Sequence, residues 1–267
     1  MRKIATCLAI AALALAGSSV TSSAAPGAME LATPGTLEVG VVEAPNAGVF
    51  FVSKDKETGQ LHGVTIDLGA ALAQKLGVKV AYKIFPNSGE CTEATSAGTV
   101  DVAFMPVDAE RKTKVDFGPA YYLLESTYLV SGASKIATLA EVDRPGVHVV
   151  GIANTTTIRA SARTLKNTQP IAVRSVDEAL DMMRSGRADA LALGRDSLKP
   201  LLATLPRSRI VEGGFQETSI SVAVPKNKPG SLATVTHFLE EAKASGAVRR
   251  AFDKIGLEDE PVAPAGP

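Results

Sequence analysis

The stretch Ser175–Leu193, SVDEALDMMRSGRADALAL, holds a helix, a stop and a strand in one run. Ser175 and Glu178 have the spacing of a capping box. Val176, Leu180 and Met183 fall on one helical face, and Gly186 ends the helix. Asp189–Leu193 (DALAL) then reads as a strand. The same unit recurs upstream. Thr65–Leu76 places Leu68, Leu72 and Leu76 on one face, Gly77 ends it, and Val78–Ile84 (VKVAYKI) alternates as a strand. Thr36–Val42 is a strand rich in β-branched residues, and Asp101–Phe104, Thr127–Ser131, Val147–Ile152 and Ser219–Val224 are further strands. Leu232, Val235 and Leu239 pattern one closing helix, and Val248, Phe252 and Ile255 a second. Strand–helix alternation of this kind predicts an α/β protein with parallel sheet covered on both faces. Ligands of such sheets sit at the carboxyl ends of the strands, beside helix N-termini.

The amino-terminal residues predict export. Arg2 and Lys3 precede an apolar run, Ile4–Ala16, and a small-residue stretch, Gly17–Ala25. This is the layout of a cleaved secretory signal peptide over residues 1–24, with Ser22-Ser23-Ala24 fitting the cleavage site, and the expected location is the periplasm. The run is short of the roughly 20 residues that span a bilayer. Cys7 lies inside the run rather than after it, which argues against lipid attachment. Cys91 is then the one cysteine of the mature chain, so no internal disulfide forms. The whole chain carries 28 basic and 28 acidic residues, and loss of Arg2 and Lys3 leaves it slightly acidic. That balance gives no footprint for nucleic acid. His62, His148 and His237 are isolated, with no metal-ligand spacing, and no nucleophile elbow or phosphate-cradling glycine loop occurs. Neither a metal nor a cofactor is expected. The tail, residues 258–267, is acidic and then Pro/Ala-rich and reads as disordered.

Several stretches, in order, resemble the family 3 extracellular solute-binding proteins of the polar-amino-acid type. They are LEVG (Leu37–Gly40), GQLHGVTIDLGAALAQKLGV (Gly59–Val78), AGTVDVAF (Ala97–Phe104) with AERKTKVDFGPAYY (Ala109–Tyr122), VGIANTTT (Val150–Thr157), Ser175–Leu193, and the Gly246–Leu257 ending. The resemblance implies a periplasmic-binding-protein-like α/β fold of two lobes with a ligand cleft and two crossing hinge strands near Thr127–Ser131 and Ser219–Val224. Lobe 1 would comprise residues 30–127 and 222–257, and lobe 2 residues 128–221. It also implies a monomer that hands a small carboxylate ligand to an ABC permease in the inner membrane.

Site residues follow from the same register. Arg111 is expected to fork onto the ligand carboxylate, a task its planar paired donors suit; a solvated helix arginine is the alternative, since Lys112 and Lys114 are close by. Thr155 and Thr156 fall where the family has a Gly-Thr pair at a helix start. Two roles stay open there, a helix cap alone or a cap that also binds the anion. Phe50 and Phe51 are candidates for an aromatic wall, with a core role as the alternative. Met105 lies in a loop about two residues shorter than usual in the family and is expected to make the site more apolar. Gly194 falls where amino-acid binders of the family keep an aspartate for the ammonium, and Asp196 is the candidate substitute. The ligand is therefore either an acid without an α-amino group or an amino acid held differently. Two alternatives stay open, a non-transport accessory or sensor protein of the periplasm and an enzyme: periplasmic cyclohexadienyl dehydratases share the fold and resemble Asn154–Thr157, but Ser197 stands where they carry a general acid, with Asp196 one residue away.

Overall fold

The computed structural model describes residues 29–43 and 51–264. The expected signal peptide and Phe50 lie outside the described residues. Strands β1 (Thr36–Glu43), β2 (Phe51–Lys54) and β3 (Leu61–His62) lead into helix α1 (Val64–Leu76). Then come β4 (Lys79–Phe85), α2 (Ser88–Ser96), β5 (Val102–Pro106), α3 (Ala109–Lys114) and β6 (Val115–Phe117). β7 (Tyr122–Val130) carries the chain into a second half: α4 (Leu139–Val142), β8 (Val149–Ile152), α5 (Thr156–Thr164), β9 (Ile171–Val173), α6 (Val176–Arg184), β10 (Ala190–Gly194), α7 (Arg195–Leu201) and β11 (Arg209–Ile210). β12 (Gln216–Pro225) brings it back to α8 (Pro229–Ala244) and α9 (Ala247–Asp253).

The local signals act as anticipated. Gly77 caps α1 at φ 68°, a left-handed conformation that glycine adopts freely. In α6 the Ser175 hydroxyl accepts from the Glu178 amide, but the Glu178 carboxylate returns to the Arg174 amide, one residue before the box position. Val176, Leu180 and Met183 are all buried.

The strands run in the order β3-β2-β1-β5-β12-β7-β10-β8-β9, with β4 on β1, β6 on β12 and β11 on β7. Parallel pairing dominates each half, as in β1 with β4 and β5, and β8 with β9 and β10. β7 and β12 run antiparallel to their neighbours and join the halves. β7 pairs with β12 from Tyr122 to Ser126 and with β10 from Ser126 to Val130. β12 pairs with β7 from Gln216 to Ile220 and with β5 from Ile220 to Ala223. The expected crossing at Thr127–Ser131 thus covers only the second part of β7. Its first part alternates buried Tyr122 and Leu124 with exposed Leu123 and half-buried Glu125, which is ordinary strand patterning.

The expectation of a disordered tail does not hold for the described residues Glu258–Pro264. Glu260 is buried, accepts from the Tyr122 hydroxyl at 2.8 Å and pairs with Lys199. Val262 bridges to Tyr122, and the Ala263 amide donates to the Tyr121 carbonyl at 2.9 Å. Composition misled here because the segment packs through backbone pairing and one buried carboxylate rather than through a run of apolar side chains. Cys91 is fully buried, and burial pushes its thiol up to about 12, so it is inert.

Candidate ligand-binding site

The carboxyl ends of β5 and β10 and the amino ends of α2, α3, α5 and α7 meet where β7 and β12 cross. The Asp108 side chain caps α3 by accepting from the Arg111 amide at 2.8 Å. This sends the Arg111 side chain inward, where it is 2% exposed. Nη1 donates to the Pro106 carbonyl at 2.9 Å, and Nη2 to Ser88 Oγ at 2.6 Å and the Asn154 carbonyl at 3.3 Å. All of these acceptors are neutral. Burial lowers the guanidinium's pKa to about 10, with Asp108 opposing the shift, so the group stays charged at neutral pH. The alternative of a solvated helix arginine is overturned by this burial.

Asn154 belongs to the loop before α5 and adopts φ 59°, which aims its carbonyl across at Arg111. Thr155 caps α5, accepting from the Ile158 amide at 3.2 Å and donating to the Ile152 carbonyl at 2.8 Å. Its hydroxyl is therefore spent on the backbone. The amides of Thr156 and Thr157, in the first turn, have no intrahelical acceptor and carry the positive end of the helix dipole.

A narrow cavity of about 20 Å³ lies at this junction. Thr155, Thr156 and Thr157 line one side and Ser88 and Pro106 another; Phe51, Leu124, Leu193, Gly194 and Ser197 complete it. Arg111 stands directly behind Ser88 and Pro106. That volume holds about one water molecule, so any larger guest requires the halves to part. A bigger cavity, of about 170 Å³, touches Arg111 too, but Glu90, Glu93 and Glu110 line it against Lys114 and Arg159, a poor setting for an anion. A third, of about 330 Å³, lies away from this junction, between Tyr128, Leu139, Asp143 and Phe215.

Contacts between the halves surround the site. Arg159 of α5 pairs with Asp108, and its Nε lies 3.2 Å from Glu110. Arg174 Nε lies 3.3 Å from Glu90, and Asn87 Nδ2 donates to the Arg174 carbonyl at 3.3 Å. Burial raises the Asp108 carboxyl, but the Arg111 amide and the Arg159 guanidinium outweigh it and hold the group below its ordinary range.

The anticipated residues separate into three groups. Thr155, Thr156 and Phe51 line the narrow cavity, and Arg111 backs it. Met105 does not line it. That side chain is fully buried in the core instead, where its sulfur accepts from Thr92 Oγ1 at 3.3 Å. The shortened loop was read as apolar lining, but Met105 is a β5 residue paired with Ser221 and faces inward. Asp196 is completely buried and also lies outside the lining, accepting from Ser197 Oγ at 3.3 Å. Gly194 explains the site's shape. A Cβ there would lie 2.5 Å from Leu124 Cδ1 and 2.7 Å from Asp196 Oδ1. Leu124 thus fills the space into which a side chain at 194 would project. Ser88 and Leu124 carried no local signal, because long-range packing alone brings them here.

The sequence profile of the bacterial extracellular solute-binding proteins, family 3, matches residues 44–258. The chain belongs to this family. Among relatives of the family 3 solute-binding proteins, the "Probable histidine-binding protein" of Campylobacter jejuni is 26% identical over 84% of this chain and 86% of its own length. The solved structure of an ancestral arginine-binding protein bound to glutamine superposes with a TM-score of 0.75 at 29% identity, covering 85% of this chain and all of that one (100%). An ancestral amino-acid-binding protein, described as a precursor of cyclohexadienyl dehydratase, superposes with a TM-score of 0.73 at 29% identity over 82% of this chain and 95% of its own. No helix among the described residues is long and apolar enough to cross a membrane. No metal-binding cluster occurs among the described residues either.

Proposed function

We propose that this family 3 solute-binding protein captures a small carboxylate between its halves in the periplasm and delivers it, as a monomer, to an ABC permease of the inner membrane. The observation that carries the reading is Arg111: a buried, charged guanidinium whose side-chain hydrogen bonds among the described residues all end on neutral oxygens. It stands beside the open first turn of α5. Both features favour an anion, seated on Ser88 and the α5 first turn in front of the guanidinium charge. β7 and β12 serve as the hinge, and lobe 1 (residues 30–127 and 222–257) and lobe 2 (128–221) swing about them. The relatives named for amino acids make those the first ligands to try, with acids lacking an amino group beside them.

The test is a thermal-shift screen of refolded, ligand-stripped protein against amino acids and against organic acids without an amino group. A ligand bound at 100 times its Kd stabilises the native state by about 2.7 kcal/mol. A melting shift with carboxylates that disappears with their methyl esters supports the reading; equal shifts with acid and ester contradict it.

The likeness to a dehydratase precursor raises the enzyme alternative. Among the described residues no carboxyl group lines the narrow cavity, and Asp196 is fully buried outside its lining. A general acid must reach the leaving hydroxyl, so we assign binding rather than dehydration. Prephenate incubated with the protein is expected to yield phenylpyruvate no faster than the buffer at matched pH.

A further inference from the structure

The narrow cavity is chemically polarised, and its polarity specifies the ligand more closely than its carboxylate. One end holds donors. Ser88 Oγ accepts from Arg111 Nη2 at 2.6 Å, which leaves the Ser88 proton to be donated onward. Thr156 and Thr157, whose amides have no intrahelical acceptor, line the same cavity, and Arg111 Nη2, by bonding Ser88 and the Asn154 carbonyl, holds their loop beside Ser88.

The other end holds an acceptor. Ser197 Oγ donates its single proton to Asp196 Oδ1 at 3.3 Å. Asp196 is completely buried and Ser197 is 3% exposed, so neither group turns to solvent. What Ser197 offers the cavity is a lone pair. The remaining walls are Phe51, Leu124 and Leu193, and among the described residues no acidic side chain lines the cavity. An ammonium seated here would lose its water without touching a carboxylate, which is costly. A ketone oxygen brings no proton for Ser197 Oγ to accept. A hydroxyl donates one hydrogen bond to Ser197 and carries no charge.

Building on the carboxylate reading above, we infer that the ligand is a small hydroxycarboxylate, its carboxylate at Ser88 and the first turn of α5 and its hydroxyl donating to Ser197. Asp196 is the positioning residue that holds Ser197 in its accepting orientation.

Calorimetric titration of the ligand-stripped protein with two matched sets tests this. One set is lactate (both enantiomers), pyruvate, alanine and propionate. The other is 2-hydroxyisocaproate, 2-oxoisocaproate, leucine and isocaproate. The hydroxy member of at least one set is expected to bind about tenfold more tightly than the others, the worth of one hydrogen bond. Ser197→Ala is expected to remove that preference while leaving propionate or isocaproate unchanged, and Ser197→Thr to restore it. Asp196→Asn is expected to weaken the preference without abolishing carboxylate binding, a ratio that a merely structural role would not move. Tightest binding by the amino or oxo member, or an equal loss for every member in Ser197→Ala, overturns the hydroxyl assignment and leaves the carboxylate reading standing. Binding by no member of either set, in a protein whose circular dichroism shows it folded, overturns both.

Discussion

At the scale of single residues, Arg111 and Gly194 account for most of the site's character. Arg111 supplies a charge that no acidic side chain neutralises by direct contact among the described residues, and Gly194 supplies room that Leu124 takes up. Gly194→Ala is predicted to lower stability by about 1–3 kcal/mol, because its Cβ must displace Leu124 Cδ1 and Asp196 Oδ1. Urea denaturation measures this, and Leu124→Val in the same chain should recover part of the loss. Arg111 was legible in the sequence through its motif, and Thr155 and Thr156 through their capping chemistry. Leu124 was not, since nothing near it in the chain says that it will sit on Gly194. Met105 was misplaced because a shortened loop and the end of a strand look alike in sequence, and only the pairing with β12 decides which it is.

At the scale of elements, helix ends and the final segment set the architecture around the site. Asp108 ties the cap of α3 to Arg159 of α5. Its folded pKa is lowered, so its contribution is complete above the ordinary value of 3.8 and disappears as pH falls through the folded value. Asp108→Asn is therefore predicted to reduce stability at neutral pH and to flatten the acid limb of a stability–pH curve. The segment Glu258–Pro264 pins β7 to α7 through Glu260, which accepts from Tyr122 and pairs with Lys199. Glu260→Ala leaves a buried hydroxyl without its partner and is predicted to cost about 1–3 kcal/mol, again read by urea denaturation. Helices α1 and α6 were legible from periodicity and stop signals, because their buried stripes are local. The early start of β7 and the packed tail were hidden, because both depend on partners far along the chain.

At the scale of the whole molecule, two halves of parallel sheet close on each other across β7 and β12, and the cavity between them is narrow. Gly89 is part of the closure. A Cβ at this position would run into the Asn154 side chain and lie 2.9 Å from the Asn154 carbonyl oxygen. Gly89→Ala is predicted to hold the halves apart, seen as a larger radius of gyration in small-angle scattering, and to weaken ligand binding in proportion to the lost closed population. The alternation of strands and helices made the fold class readable from the sequence alone. The closeness of the halves was not readable, since it is set by contacts such as Gly89 with Asn154 and Arg111 with Ser88.

Everything proposed for this cleft depends on Arg111 as its anion anchor. The most direct test is calorimetric titration of a carboxylate found in the thermal-shift screen into the native protein and into Arg111→Met, with the fold of the variant checked by its melting curve. Binding is predicted to be roughly 100-fold weaker or more in a variant that still melts cooperatively, in keeping with loss of the one charge behind the anion seat. Equal affinity in the two proteins would contradict it and place the anion site elsewhere.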